Sequence, residues 1–416
     1  MDNNLSMGEY KNTNIPYIGL IPRSWNGKKV RYLCKIKTGE KNTENKIRTG
    51  AYPFFVRSKI VENIDTYSYD GEAVLTSGDG AGVGEIYHYI TGKFDYHQRV
   101  YKFSEFSDVT GRYFYYFLLS KFINVAILGS AKSTVDSLRL PLIKDFKIYF
   151  PERTEQERIT RFLDLRIDQI ENAIKKKVLL VNLLEEQKSI ITQEAVTKGL
   201  NPRAKMKYSG VDWIGEIPKH WEVKRAKYLF HEVDERSTQG EEELLSVSHT
   251  TGVTPRSEKE VSMFLAESYA GSKLIKDGDL VYNIMWAWMG ALGVSKHEGI
   301  VSPSYGVFRQ RKYNFNPKYI ESLLKSRIYV DYYNSTSTGL HSSRLRFYPH
   351  MFLNMCIAFP PLSEQNSIMK VVETTCGEIE ESIKNTKKQI DNLNELKTTL
   401  IDSAVTGKIN VSNYGH

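Results

Sequence analysis

Two stretches of the 416-residue chain repeat one order of apolar and polar positions. Over 154–199 the a and d positions of a heptad are Thr160, Leu163, Ile167, Ile170, Ile174, Lys177, Val181, Leu184, Lys188, Ile191 and Ala195, eight of the eleven apolar. Adding 209 to each gives Met369, Val372, Cys376, Ile379, Ile383, Thr386, Ile390, Leu393, Lys397, Leu400 and Ala404, nine of the eleven apolar. An apolar stripe sustained at this spacing predicts two coiled-coil helices, each about 40 residues and roughly 60 Å long. One stripe mirrors the other position for position, so the two are expected to pair within the chain. Packing of each stripe on its own neighbouring block alone would leave that mirror unexplained. Polar residues interrupt both stripes at the same steps, Lys177 with Thr386 and Lys188 with Lys397. Such interruptions fix register at a cost in stability. Thr154 with Glu157 reads as a capping box behind Pro151, and Ser363 as an N-cap behind Pro360 and Pro361.

Ahead of each helix the pattern shortens. Strand-like stretches fall at 51–59, 72–77, 84–90 and 99–103 in the first block, and at 243–249, 279–284 and 305–310 in the second. Each block then carries an amphipathic helix (113–122 and 318–327) and closes on a strand running into proline, "FKIYFP" and "MCIAFP". The fold class expected is α+β (mixed α/β), with boundaries at 1–151, 152–199, 200–360 and 361–416.

The blocks are copies at their edges. Ile18, Gly19, Ile21, Pro22, Trp25, Tyr32 and Leu33 recur 196 residues later as Ile214, Gly215, Ile217, Pro218, Trp221, Tyr228 and Leu229. Pro151, Glu155, Gln156, Ala195, Val196 and Thr197 recur 209 residues later as Pro360, Glu364, Gln365, Ala404, Val405 and Thr406. The offset grows by 209 − 196 = 13, and few residues of 40–140 find a partner in 236–345. This is a duplicated unit with a constant frame and a divergent insert, and two such halves should pack about a pseudo-two-fold axis.

Charge adds a partner class. Lys+Arg against Asp+Glu runs 21 to 15 over 1–151, 9 to 9 over 152–199, 21 to 17 over 200–360 and 6 to 8 over 361–416, so the basic excess sits in the two blocks. Of the 26 tyrosines, 25 lie in the same blocks. Basic, tyrosine-rich blocks fit nucleic acid, although β-rich domains favour tyrosine too. The polar, acidic start "MDNNLSMGEY" is not a signal peptide, and the longest apolar run, 280–294, is short for a membrane span. Three scattered cysteines, Cys34, Cys356 and Cys376, suit a reducing cytoplasm and form no CxxC pair. Walker A, the adenine-methyltransferase signature and a histidine cluster are all missing from the sequence, which weighs against a self-contained enzyme. A structural coiled-coil adaptor would leave the divergent basic blocks without a purpose.

If the inserts meet DNA, lysine and arginine should hold phosphates and polar side chains at strand ends should read base edges. In the first block the candidates are "TSGDGAGVG", with Ser77, Asp79 and Gly80, then Arg99, then Lys132, Ser133 and Thr134 of "SAKSTVDS". The glycines of 76–84 miss the spacing of a dinucleotide loop. In the second block Asn283 and Trp286 of "NIMWAWMG" stand at the matching place, with Ser302 and Ser304 of "VSPSYG" and His341, Ser342, Ser343, Arg344 and Arg346 of "GLHSSRLR". Arg344 or Arg346 bidentate to guanine is the sharpest of these expectations. Pro22, Trp25, Pro218 and Trp221 read as structural frame or as a partner-binding surface.

Taken in order, "YIGLIPRSWNG" and "WIGEIPKHWEV", the two P-x3-EQ helix entries and the "AVTKG" and "AVTGK" exits resemble the DNA-specificity (S) subunits of type I restriction–modification enzymes over essentially the whole chain. That resemblance implies a quasi-circular chain. Two target-recognition domains would each read half of a split double-stranded DNA site, held apart by two antiparallel conserved helices. It implies no catalysis and no cofactor in this chain. Its partners would be two modification (methyltransferase) subunits using S-adenosylmethionine, and restriction subunits using ATP and magnesium.

Overall fold

In the computed structural model, residues 9–411 are described apart from 81, 131–137, 259–267, 340 and 342–343, with 126–130 described as helical backbone only. The secondary structure is α+β. The chain divides into two compact units, one of residues 1–179 with 387–416 and one of 180–386.

The heptad stretches form the helices Arg153–Lys198 and Leu362–Val405, 46 and 44 residues long. Each unit holds the start of one helix and the end of the other. In the first, Lys177 Nζ donates to Gln389 Oε1 at 2.5 Å and Lys397 Nζ to Glu171 Oε1 at 2.9 Å. In the second, Lys188 Nζ donates to Glu380 Oε1 at 2.5 Å, while Val181, Ile379 and Ile383 pack with Leu184 and Ile191. Partner numbers rise along one helix as they fall along the other, so the pairing is antiparallel in both units. The lysines that interrupt the stripes are answered by the opposite helix. Glu171 with Lys397 and Lys188 with Glu380 are one contact made twice, at the 209-residue offset.

Both helices begin one residue earlier than the caps expected from the sequence. Thr154 and Ser363 therefore sit inside the first turn. Thr154 Oγ1 donates to Glu152 Oε1 at 2.8 Å, and the Ser363 carbonyl accepts from Ser367 Oγ. The turn is closed instead by backbone bonds to Glu152 and Pro361, because a preceding proline sets φ for helix entry. The exits use glycine: Gly199 (φ +77°) and Gly407 (φ +71°) follow the two ends in left-handed conformation, which other residues adopt only with strain.

In the first unit a six-stranded sheet runs in the order Lys35–Thr38, Val100–Ser104, Tyr69–Ser77, Tyr87–Tyr96, Tyr52–Phe55, Glu62–Ile64. All its pairs are antiparallel except that of Tyr52–Phe55 with Tyr87–Tyr96. Helix Gly111–Ser130 packs on it through Tyr113, Phe114 and Phe117. The second unit has a four-stranded antiparallel sheet, Phe230–Glu232, Tyr305–Gln310, Leu280–Asn283, Leu292–Val294, with helices Pro317–Leu324 and Arg327–Thr336 in the same unit. Here the expected single helix over 318–327 is two, broken at Lys325 and Ser326.

The repeated motifs are one hydrogen-bond network built twice. Gln156, fully buried, accepts from Thr110 N and donates to the carbonyls of Asp108 and Pro151. Gln365, also fully buried, accepts from Asn316 N and donates to Asn314 and Pro360. Trp25 bonds Glu155 and Trp221 Nε1 donates to Glu364 Oε1 at 3.2 Å. Tyr113 Oη donates to the Val405 carbonyl and Tyr319 Oη to the Val196 carbonyl. Both tryptophans are buried with the "AVT" residues, so the frame motifs tie each globular core to its helix ends. No helix among the described residues is long and apolar enough to cross a membrane.

Candidate nucleic-acid interface

One backbone junction is built at the end of a central strand in each divergent insert, and its hydrogen bonds are the same in both units. In the first, strand Tyr69–Ser77 ends at Gly78, whose N–H donates to the Arg99 carbonyl at 2.8 Å and whose carbonyl accepts from Leu138 N at 2.8 Å. In the second, strand Leu280–Asn283 ends at Ile284, whose N–H donates to the Ser304 carbonyl at 3.3 Å and whose carbonyl accepts from Phe347 N at 3.0 Å. Arg99 and Ser304 each precede the returning strand, Val100–Ser104 or Tyr305–Gln310. Three loops scattered in sequence therefore converge at Gly78, and three at Ile284.

Most of the described residues singled out from sequence lie on these loops, with Ser77 and Asn283 as the last residues of the two strands, but their roles divide. Ser77 is buried and its hydroxyl donates to the Asp79 carbonyl, so it shapes the loop rather than facing outward. Asn283 is buried too; its Oδ1 accepts from Met285 N and its side chain bonds Tyr305. Ser302 Oγ accepts from Ser304 N, both residues being exposed. Trp286, 53% exposed, projects beside exposed Met289, while Trp288 is tied by Nε1 to the Met285 carbonyl. His341 and Arg344 are exposed, and the Arg344 N–H donates to the His341 carbonyl. Arg346 is half-buried and pairs with Thr338. Lys132, Ser133, Thr134, Ser342 and Ser343 lie outside the described residues. Pro22 packs near Gly407, and Pro218 is buried, in keeping with a role in the frame.

Electrostatically the two junctions differ. At the first, Arg57 Nη1 and Arg99 Nη1 both donate to the carboxylate of Asp79, at 2.8 and 2.6 Å. Burial raises the Asp79 carboxyl, but the bonds from Arg57 and Arg99 outweigh it and hold the group below its usual pKa. Burial, with Arg57 close by, lowers His97, whose Nδ1 accepts from the Arg99 N–H at 3.0 Å. The second junction presents an indole and a thioether instead. Arg57 escapes the sequence analysis because 51–59 reads as one strand, whereas the strand stops at Phe55. Its nearness to Asp79 depends on the parallel pairing of Tyr52–Phe55 with Tyr87–Tyr96, a long-range contact without a local signal. Among the described residues no three His, Cys, Asp or Glu side chains gather as a metal-binding group.

Residues 22–180 match the family model of the type I restriction modification DNA specificity domain. Over 219 residues, 53% of this chain, the sequence is 26% identical to the Type I restriction enzyme EcoDI specificity subunit of Escherichia coli. That match spans 44% of the relative, so less than half of its length is covered. In three dimensions the chain is similar to one from a structure of complex assembly and conformational transition of the type I R-M system, with TM-score 0.66 at 13% identity, covering 94% of this chain and 99% of that one. It is also similar to the HsdS subunit from Thermoanaerobacter tengcongensis, with TM-score 0.51 at 13% identity, covering 94% and 98%. At these identities the two structures establish the fold.

Proposed function

We propose that the chain, whose residues 22–180 match the family model of the type I restriction modification DNA specificity domain, is the DNA-reading, non-catalytic subunit of a type I restriction–modification complex. Each unit reads one half of a split site in double-stranded DNA, through the loops at Gly78 in the first and at Ile284 in the second. Two modification subunits dock on the duplicated frame and methylate adenine with S-adenosylmethionine. Restriction subunits, using ATP and magnesium, cleave.

One observation carries this reading: an identical backbone junction holds different side chains in the two units. A constant scaffold with exchangeable tips is what reading two unlike sequences requires. Specificity comes from side chains at base edges, while lysines and arginines on phosphates supply affinity without sequence preference. The helices supply the second requirement. Each is a continuous element that starts in one unit and finishes in the other, at a rise of about 1.5 Å per residue. Helix length therefore becomes the number of unread base pairs between the half-sites.

The test is to assemble the full chain with its methyltransferase subunits and map modified adenines over a genome. The proposal expects one bipartite motif with a spacer of constant length. Methylation at a single continuous motif, or none that depends on this chain, would refute it.

A further inference from the structure

Arg57 and Arg99 grip one carboxylate from two sides. Asp79 is 17% exposed, while the Arg57 and Arg99 side chains are 39% and 57% exposed. The backbone pins all three residues. Asp79 follows Gly78, bonded on both sides at the loop junction, and precedes Gly80 at φ +76°. The Arg99 N–H is held by His97 Nδ1, and the His97 N–H donates to the carbonyl of Phe55, two residues before Arg57, at 2.9 Å. Three chain segments thus bring two guanidiniums to the loop cluster of the first unit.

As an ion pair the arrangement does little for stability, since its arginines are solvent-exposed. As a positioning device it does more. Asp79 Oδ1 takes Nη1 of Arg57 and Oδ2 takes Nη1 of Arg99, which anchors one end of each guanidinium and leaves its Nε and Nη2 donors for another partner. Two donors in a fixed fork match the O6 and N7 acceptors on the major-groove edge of guanine. A phosphate accepts the same fork, but the shared carboxylate cuts the net charge of the trio to one, which weakens its pull on a phosphate. We propose that the Arg57–Asp79–Arg99 clamp reads guanine in the half-site of the first unit, Arg57 and Arg99 presenting the donors and Asp79 acting as a positioning residue. This inference rests on the DNA-reading role proposed above. The second unit presents Trp286 and Met289 at the corresponding junction.

The experiment assembles the full chain with its methyltransferase subunits as wild type, R57A, R99A, R99K and D79N, then maps methylation across a randomised DNA library and titrates binding against salt. The expected result is a G·C pair in one half-site whose discrimination falls roughly 10- to 100-fold in R57A and R99A. Lysine at 99 does not restore it, D79N relaxes the same position, and the other half-site is unchanged in every variant, which also certifies that each has folded. Uniformly weaker methylation across all sequences with a shallower salt slope would mark phosphate contacts and overturn the clamp. So would a half-site preference that none of the four variants alters. A wild type without preference in either half would instead bring down the DNA-reading role itself.

Discussion

Gln156 and Gln365 show how a single side chain can hold a fold together. Each is buried without solvent and satisfies one backbone N–H and two carbonyls at the joint between sheet, short helix and long helix. Gln365→Ala would orphan all three groups around it. At about 1–3 kcal/mol for each unsatisfied buried group, partly relieved by relaxation, the loss is expected to be roughly 3–5 kcal/mol. Urea denaturation of the variant measures it, and an unmoved midpoint would contradict the network. Lys102 makes the opposite case, a buried charge that is poorly answered. Its ammonium lies 3.2 Å from the Tyr69 ring centroid and 5.5 Å from that of Tyr96. Burial, aided by Lys37 on the paired strand and opposed by Glu105, drives its pKa down to about 8. The unfolded chain keeps that proton to about pH 10.4, so between the two values it binds more protons than the folded chain, and folding stability rises with pH. Below the folded value both states are protonated and the contribution is constant. Lys102→Met is expected to flatten the rise in urea midpoint from pH 8 to pH 10; an equal rise in both proteins would contradict this. The paired glutamine motifs were legible as a repeat, but what they bind was not, because Asp108 and Asn314 belong to loops that share no sequence. Lys102 gave no signal at all, since its burial comes from Tyr69 and Tyr96 on other strands.

Among elements, the long helices were the most legible, because a heptad is local and sustained for more than ten turns. Their ends were less so: Thr154 and Ser363 carry capping chemistry, yet the prolines before them shift the first turn. The two kinds of contact in the helix pair differ in weight. Lys188 and Glu380 are 40% and 61% exposed, so their coupling in a double-mutant cycle is expected at about 0–1 kcal/mol. Ile383 is buried against Val181 and Ile379, and Ile383→Ala is expected to cost about 2–4 kcal/mol. The apolar stripe therefore carries the stability and the charged steps carry alignment. A coupling above the cost of Ile383→Ala, by denaturation of the full chain, would reverse that order. The sheets were half legible. Individual strands fall within a few residues of the alternating stretches, but the six-strand order of the first unit, with its one parallel pair, depends on long-range pairings such as Ile36 with Phe103 and Phe54 with Asp95.

For the whole molecule, duplication was legible and its purpose only partly so. The constant edges are the network at Trp25 and Trp221, Gln156 and Gln365, and the glycine-ended helices; the divergent middles share the junction at Gly78 and Ile284. That junction could not be found by alignment, because glycine and isoleucine are chosen by different neighbours while the backbone bonds stay the same. The central claim is that two different readers are spaced by one helical pair, and helix length tests it most directly. Residues 177–183 and the facing 385–391 can be deleted together, one heptad from each helix, which preserves the stripe and removes about 10 Å. Methylation mapping of the shortened chain with its modification subunits should give both half-sites unchanged and a spacer shorter by up to about three base pairs, at ~3.4 Å each. A spacer of the original length, or a changed half-site, would contradict the account.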